Sequence, residues 1–337
     1  MNFENNISLK PFNTFGVDVI AQQFVSIHDE EMLEKIISKD GTQPLFIIGG
    51  GSNMLLTKDV NCLVVHINLK GISVVFEDND FVQVKSAAGE NWHDFVLWCL
   101  DRNYGGIENL ALIPGSVGAA PIQNIGAYGV ELKDVFVSCD AINKYSGEKK
   151  RFDRNSCNFG YRQSIFKGIE KGKWIITSVT FELSKTNHRL KTTYGAIQEH
   201  LDDMNIKEPS IRDIAQVVIG IRSTKLPDPK VLGNSGSFFK NPVVEKFKKD
   251  SLCIENADMP FFELTPETYK IPAAWLIEQS GFKGKRYGDC GVHNKQALVI
   301  VNYGNATGKE IFELASTIQN EVESKFGIRL EMEVNIL

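Results

Sequence analysis

Between Ile107 and Gly129 the chain runs Ile-Glu-Asn-Leu-Ala-Leu-Ile-Pro-Gly-Ser-Val-Gly-Ala-Ala-Pro-Ile-Gln-Asn-Ile-Gly-Ala-Tyr-Gly, with Glu108 as its only charge. Pro114, Pro121 and the glycines at 115, 118, 126 and 129 interrupt every apolar run, which excludes a membrane span and disfavours a long regular helix. A polar-poor irregular segment of this length must be laid over a scaffold that the rest of the chain builds. Its glycines and small side chains suit a backbone lying close against a large flat ligand, with amides rather than charges making the contacts.

The flanking sequence supplies that scaffold. Apolar runs at Pro44–Ile48, Cys62–Ile67, Trp174–Leu183 and Ala297–Asn302 read as strands, and Ile72–Ser86 and Phe136–Phe152 read as hairpins turning at Asp78-Asn79-Asp80 and Ser146-Gly147. His28–Lys39 carries a short helical pattern. Trp92, Phe95, Val96, Cys99 and Leu100 recur at helical spacing, so Asn91–Arg102 predicts an amphipathic helix packed on a sheet. Ser210 and Asp213 form a capping box that opens a helix reaching Arg222. Ala273–Ser280 reads as a helix closed by Gly281, and Thr307 with Glu310 caps a long helix ended by Gly327. Leu330–Ile336 reads as a closing strand. Strands and helices in this mixture give an α+β protein, and the proline-stiffened run Leu226-Pro227-Asp228-Pro229 marks the start of a further domain.

Two short motifs carry chemistry and each has a plain alternative. Gly49-Gly50-Gly51-Ser52-Asn53 follows a strand and reads either as a tight turn or as a nest of amides for a phosphate or pyrophosphate. It lacks the Gly-Lys-Ser/Thr of a P-loop and the spacing of the dinucleotide fingerprint. Gly233-Asn-Ser-Gly-Ser-Phe-Phe-Lys-Asn-Pro242 reads either as a polar turn entering a strand at Ser237-Phe238-Phe239, or as a site that presents Ser237 after Gly236. With 42% hydrophobic and 23% charged residues among 337 and a net charge of −5, the chain is an ordinary globular protein with no electrostatic case for nucleic acid or a membrane surface. No leader or membrane span is evident, so a cytoplasmic protein is expected. Of six dispersed cysteines most are expected to be reduced core residues, and six dispersed histidines give no metal-ligand spacing, so no metal is expected.

Taken together in order, Gly49–Asn53, Ile113–Gly129, Gly160-Tyr161-Arg162, Lys225–Lys230 and Gly236–Pro242 resemble the UDP-N-acetylenolpyruvoylglucosamine reductase family, and the likeness covers nearly the whole chain. The resemblance implies a two-subdomain FAD-binding fold of the FAD-linked oxidase (PCMH-like) type, at residues 1–67 and 68–222. It also implies a C-terminal α+β substrate-binding domain at 223–327, with 328–337 free to pack back on the second subdomain. It implies a monomeric FAD enzyme of peptidoglycan synthesis that uses NADPH, by ping-pong kinetics, to reduce the enolpyruvyl ether of UDP-N-acetylglucosamine to UDP-N-acetylmuramate.

By the same match, Ser237, Arg162 and Glu333 are the expected catalytic residues: a proton donor to carbon, an electrostatic stabiliser of the enolate, and a hydrogen-bonding or proton-carrying acid. Gly49, Gly50, Gly51, Ser52, Asn53, Pro114, Gly115, Ser116, Gly118, Ala119, Gln123, Asn124, Gly126 and Arg222 are expected at the FAD. Tyr128, Tyr161, Tyr194, Lys225, Asn241 and Gln296 are expected at the substrate, Tyr194 matching a tyrosine loop found in one subgroup. The last strand departs from the family pattern, because Asn335 stands where an arginine is usual. Glu331 and Glu333, two apart, share a strand face, so spacing does not distinguish them; motif position favours Glu333. Rival readings are another FAD-linked oxidoreductase of the same fold, a non-catalytic nucleotide-binding module, or a serine acyl-enzyme through Ser237-Phe-Phe-Lys240.

Overall fold

The computed structural model describes residues 2–39 and 44–337. It divides into two compact units, one of Met1–Ile7, Ala21–Gly50 and Val60–Arg222, the other of Ser8–Ile20, Gly51–Asp59 and Ser223–Leu337. The chain passes from one unit to the other within the glycine triplet, between Gly50 and Gly51.

In the first unit, one sheet has the order Glu4–Ser8, Ile20–Ile27, Val60–Ile67, Leu45–Ile48, the last three parallel. The helix Glu30–Lys39 covers it with Leu33, Ile36 and Ile37, which meet Val25, Ile27, Val65 and Ile67 in one core. A second sheet is antiparallel, in the order Lys149–Asp153, Phe136–Asn143, Trp174–Ser184, Phe81–Ala87, Ile72–Glu77. The expected helix spans Trp92–Leu100, capped by the Asn91 side chain on the Asp94 amide. Its five apolar positions are all buried, and Trp92 and Phe95 lie 5.8 and 4.8 Å from the ring of Phe181 on the central strand. That contact fixes the entry to the glycine-rich segment, since the Trp92 amide donates to Gly115 O at 3.0 Å and the indole N–H to Leu110 O at 2.9 Å.

The second unit holds a sheet ordered Gly233–Ser237, Val299–Asn302, Cys290–Val292, Arg286–Tyr287, and a small sheet ordered Val243–Glu245, Thr268–Lys270, Phe262–Thr265. The long helix Gly308–Phe326 has the expected box between Thr307 and Glu310, and Gly327 ends it at φ +60°. Its N-terminus is seated on the chain at Leu56, where a β-carbon on Gly308 would fall 1.8 Å from the carbonyl oxygen. Four of the six cysteines are buried and all are free thiols.

Two strands differ from expectation. The strand ahead of Phe238 is the polar run Gly233–Ser237 itself, not Ser237–Phe239, and Asn234 and Ser235 are buried within it. Hydrogen bonds replace apolar burial: Asn234 Nδ2 donates to Pro227 O (3.1 Å) and Leu232 O (2.8 Å), and Ser235 Oγ donates to Met54 O (3.2 Å). The closing strand is shorter than Leu330–Ile336. Met332 bridges Phe239, the chain bends at Val334, and only Asn335–Ile336 forms a strand, parallel to Met54–Leu55.

Candidate active site

Within the first unit the two stretches expected at the FAD touch. A β-carbon built on Gly49 would lie 2.7 Å from Ser116 Oγ, and one on Gly50 would lie 2.9 Å from Gly115 Cα. A side chain at residue 50 would press on the backbone of the other loop and one at residue 49 would turn the Ser116 hydroxyl aside, so the two backbones form a close cradle that amides can line. The loop is pinned behind this contact by Val117 N–H to Glu90 O (2.9 Å) and Gly118 N–H to Ala88 O (2.9 Å), with Gly118 packed on Ala88. Ala119 is exposed beside it. The short helix Val117–Gln123 ends at Asn124, which is left-handed at φ 45° and fully buried. The Asn124 side chain donates to Gly160 O (3.0 Å) and Glu131 (3.3 Å) and accepts from the Lys133 amide (3.0 Å), so only its backbone is available to a ligand. This bare, glycine-lined cradle fits a flavin nucleotide.

Beyond the cradle the same unit gathers cations and phenols. Arg162, left-handed at φ 53°, donates to Gly126 O at 2.9 Å. Tyr128 is left-handed at φ 48°. Bulky side chains seldom adopt this conformation, and where they do it is commonly held by surrounding structure at functional sites. Arg222, at the end of the helix Ile211–Lys225, donates from Nε to Leu112 O at 3.3 Å and makes no ion pair with a carboxylate among the described residues. Burial lowers its pKa, the adjacent Tyr128 opposes this, and the Arg162 cation lowers it further. Burial raises the Tyr128 phenol, against the pull of Arg222, so it stays a neutral hydrogen-bond donor near pH 7. A buried guanidinium with no carboxylate on it, set beside a second guanidinium, forms a site for an anion. Tyr194 and Tyr161 are exposed, Tyr194 against Gly129 and Tyr161 with its ring 5.8 Å from the Arg162 guanidinium carbon.

The second unit brings Ser237, Glu333, Asn53 and Asn335 into one network of strand ends. Gly236, at φ +69°, turns the chain after its amide bonds Asn234 Oδ1 at 2.9 Å, and Ser237 follows opposite Val299. Among the described residues no protein group takes the Ser237 hydroxyl. Phe238 O accepts from the Glu333 amide at 2.8 Å, which sets Glu333 alongside the residue after Ser237. Lys240 forms an ion pair with Glu331, whose side chain is 69% exposed, so the two glutamates differ in that this lysine serves Glu331. The same pairing, on extended chain rather than a helix, removes the S-x-x-K reading of Ser237 and Lys240. Asn335 Nδ2 donates to Asn53 O at 2.8 Å, and Asn53 Nδ2 donates to Glu333 O at 3.3 Å. The asparagine in the arginine's place therefore ties the last residues to the end of the Gly49–Asn53 loop. Asn241 accepts the Ala273 amide at 2.9 Å and so caps the helix Ala273–Gln279, leaving its Nδ2 for a ligand. Gln296 holds the turn before Val299, and Lys225 is exposed at its helix end.

His93 was not foreseen from sequence. Its Nδ1 accepts the Leu112 amide at 3.1 Å, behind the carbonyl that receives Arg222. Burial lowers the imidazole pKa, Asp94 opposes this and Arg222 adds to it, which keeps the ring a neutral acceptor. Nothing in the spacing around His93 signals this role. Among the described residues there is no cluster of metal-ligating side chains and no helix long and apolar enough to cross a membrane.

Residues 21–153 match a family model described as an FAD binding domain, and residues 228–337 match one described as UDP-N-acetylenolpyruvoylglucosamine reductase, C-terminal domain. The chain is 54% identical to a UDP-N-acetylenolpyruvoylglucosamine reductase of Flavobacterium johnsoniae over 337 residues, covering 100% of both. It is 45% identical to one of Pseudomonas aeruginosa over 100% of this chain and 99% of the other. The solved UDP-N-acetylenolpyruvylglucosamine reductase of Thermus caldophilus shares the fold with a TM-score of 0.68 at 22% identity, covering 100% and 99% of the two chains. Cradle, cations and both domain matches agree, and the chain belongs to the UDP-N-acetylenolpyruvoylglucosamine reductase family.

Proposed function

We propose that this protein reduces the enolpyruvyl ether of UDP-N-acetylglucosamine to UDP-N-acetylmuramate, with FAD as resident cofactor and NADPH as reductant, in peptidoglycan synthesis. The observation that carries this reading is the pair of neighbouring guanidiniums, Arg162 and Arg222, beside Tyr128 and without a carboxylate on Arg222. An anionic substrate that gains further negative charge during reaction needs such a site. FAD, when bound, takes a hydride from NADPH and supplies it to the enolpyruvyl double bond.

The chain's own residues do the rest. The amides and side chains of Gly49–Asn53 hold the pyrophosphate, and Pro114, Gly115, Ser116, Gly118, Ala119, Gln123, Asn124 and Gly126 line the ring system, with Arg222 beside it. Arg162 stabilises the charge that spreads onto the substrate carboxylate as the double bond is reduced. Ser237 donates its hydroxyl proton to the carbon bearing that charge, which is basic enough to take a proton from a pre-positioned alcohol. Glu333 hydrogen-bonds the enolate or returns the proton to Ser237. Tyr128, Tyr161, Tyr194, Lys225, Gln296 and the Nδ2 of Asn241 bind the nucleotide sugar, Tyr194 as the tyrosine loop of its subgroup. In this reading residues 1–67 and 68–222 serve the flavin and 223–327 the substrate, and the protein works as a cytoplasmic monomer.

A purified preparation is expected to be yellow, and NADPH is expected to bleach it in the absence of the second substrate. Addition of the enolpyruvyl substrate should then restore the colour in a separate phase, followed by anaerobic stopped flow. A colourless protein that gains no flavin spectrum on adding FAD refutes the proposal.

A further inference from the structure

Asn109 lies in the turn Glu108–Leu110 and is wholly buried, at 0% exposure. Its Nδ2 donates to two carbonyls from distant parts of the chain, Tyr128 O at 3.0 Å and Lys191 O at 2.9 Å. An amide nitrogen has two hydrogens, so both are used. Its Oδ1 is buried and meets no donor among the described residues. Buried polar groups are nearly always satisfied, so a half-satisfied side chain kept in a core calls for a reason.

The two segments it joins carry Tyr128 and Tyr194. A β-carbon on Gly129 would lie 3.2 Å from Tyr194 Cβ, and one on Gly195 would lie 3.8 Å from the Tyr128 ring. Each tyrosine thus rests on the glycine that follows the other. Among the described residues, the bond from Asn109 is the only hydrogen bond reaching residues 189–195 from outside the segment 188–200. Tyr128 also holds a strained left-handed backbone, and Asn109 grips that residue's carbonyl.

We propose that Asn109 is a positioning residue: it tethers the segment carrying Tyr194 to the left-handed turn at Tyr128, so that the two phenols are set together for the nucleotide sugar. This rests on the assignment of Tyr128 and Tyr194 to the substrate. Asn109 touches neither substrate nor flavin in this account. It acts through the two backbones.

The test uses the flavin-loaded enzyme and three variants, Asn109→Ala, the isosteric Asn109→Asp and Tyr194→Ala, with the enolpyruvyl substrate and amide hydrogen exchange. Asn109→Ala should speed exchange at residues 189–195 about tenfold and raise the KM for the enolpyruvyl substrate about five- to tenfold, the effect of roughly one net hydrogen bond, with flavin content and kcat little changed. Combined with Tyr194→Ala it should add nothing further to KM. In Asn109→Asp, which keeps the shape if the alanine variant fails to fold, the introduced carboxyl donates only while protonated. Its KM relative to wild type should therefore climb as pH rises from about 5.5 to 8.5. Unchanged exchange at 189–195 overturns the tether whatever the kinetics. Faster exchange with unchanged KM, or a full further rise in KM on top of Tyr194→Ala, overturns the positioning role. If Tyr194→Ala alone leaves KM unchanged while exchange responds to Asn109, the substrate assignment of Tyr194 is what fails, and the proposed purpose of the tether falls with it.

Discussion

Gly50→Ala isolates the cradle from everything else in the molecule. A β-carbon at residue 50 would sit 2.9 Å from Gly115 Cα, 3.1 Å from Gly115 C and 3.2 Å from Ser116 N. All three are backbone atoms and cannot rotate away. Ordinary contact begins at 3.4 Å, so the loop must give by a few tenths of an ångström. Forcing a methyl into packed structure costs about 1–3 kcal/mol. If the strain falls mainly on the flavin-loaded form, FAD affinity drops by roughly 5- to 150-fold at about 1.4 kcal/mol per factor of ten. Gly49→Ala is the internal control, because its 2.7 Å contact is with Ser116 Oγ, a side chain that can turn aside. Deflavinated protein titrated with FAD, read by quenching of flavin fluorescence, should rank wild type above Gly49→Ala and Gly49→Ala above Gly50→Ala. A folded Gly50→Ala protein that binds FAD within twofold of wild type refutes the assignment of this contact to the flavin.

Ser237→Ala should let NADPH bleach the flavin at the normal rate while the enolpyruvyl substrate fails to restore the colour; near-normal turnover would exclude Ser237 as the proton donor. Glu331→Gln should keep kcat within about threefold, since Glu331 serves Lys240, whereas Glu333→Gln should lower kcat by about 10²-fold or more, the usual scale for a lost acid–base group; equal losses would undo the distinction. Gly220→Ala, at a helix position where a β-carbon meets nothing within 4 Å, should stabilise the protein by about 0.5–1 kcal/mol and raise Tm by about 1–3 °C in calorimetry. At Asp140 burial raises the carboxyl pKa, but hydrogen bonds from Arg151, Lys85 and Ser178 more than offset this and hold it at about 2. A folded pKa below the unfolded one means that its stabilisation is complete above about pH 4 and is lost as pH falls toward 2. The Tm gap between wild type and Asp140→Asn should therefore narrow over that window, and a constant gap would contradict it.

How far the sequence reveals such a molecule depends on how local the determining contacts are. The helix Trp92–Leu100 is legible because its five buried positions repeat at the helical period, and the helix Gly308–Phe326 because Thr307, Glu310 and Gly327 mark its ends. The polar strand Gly233–Ser237 is not, because its burial is compensated by partners as remote as Met54 O rather than by apolar alternation. Asn335 is legible only as a missing arginine; its bond to Asn53 O joins residues 282 apart. The two closing glutamates make the point most sharply. Spacing puts Glu331 and Glu333 on equal terms, as acids two apart in an extended chain. What separates them is Lys240, 91 residues earlier than Glu331, whose mostly buried ammonium takes the outer carboxylate. A lysine that the S-x-x-K spacing sets beside Ser237 as a partner in catalysis is instead paired with Glu331, which is why the comparison of Glu331→Gln with Glu333→Gln is the one to make.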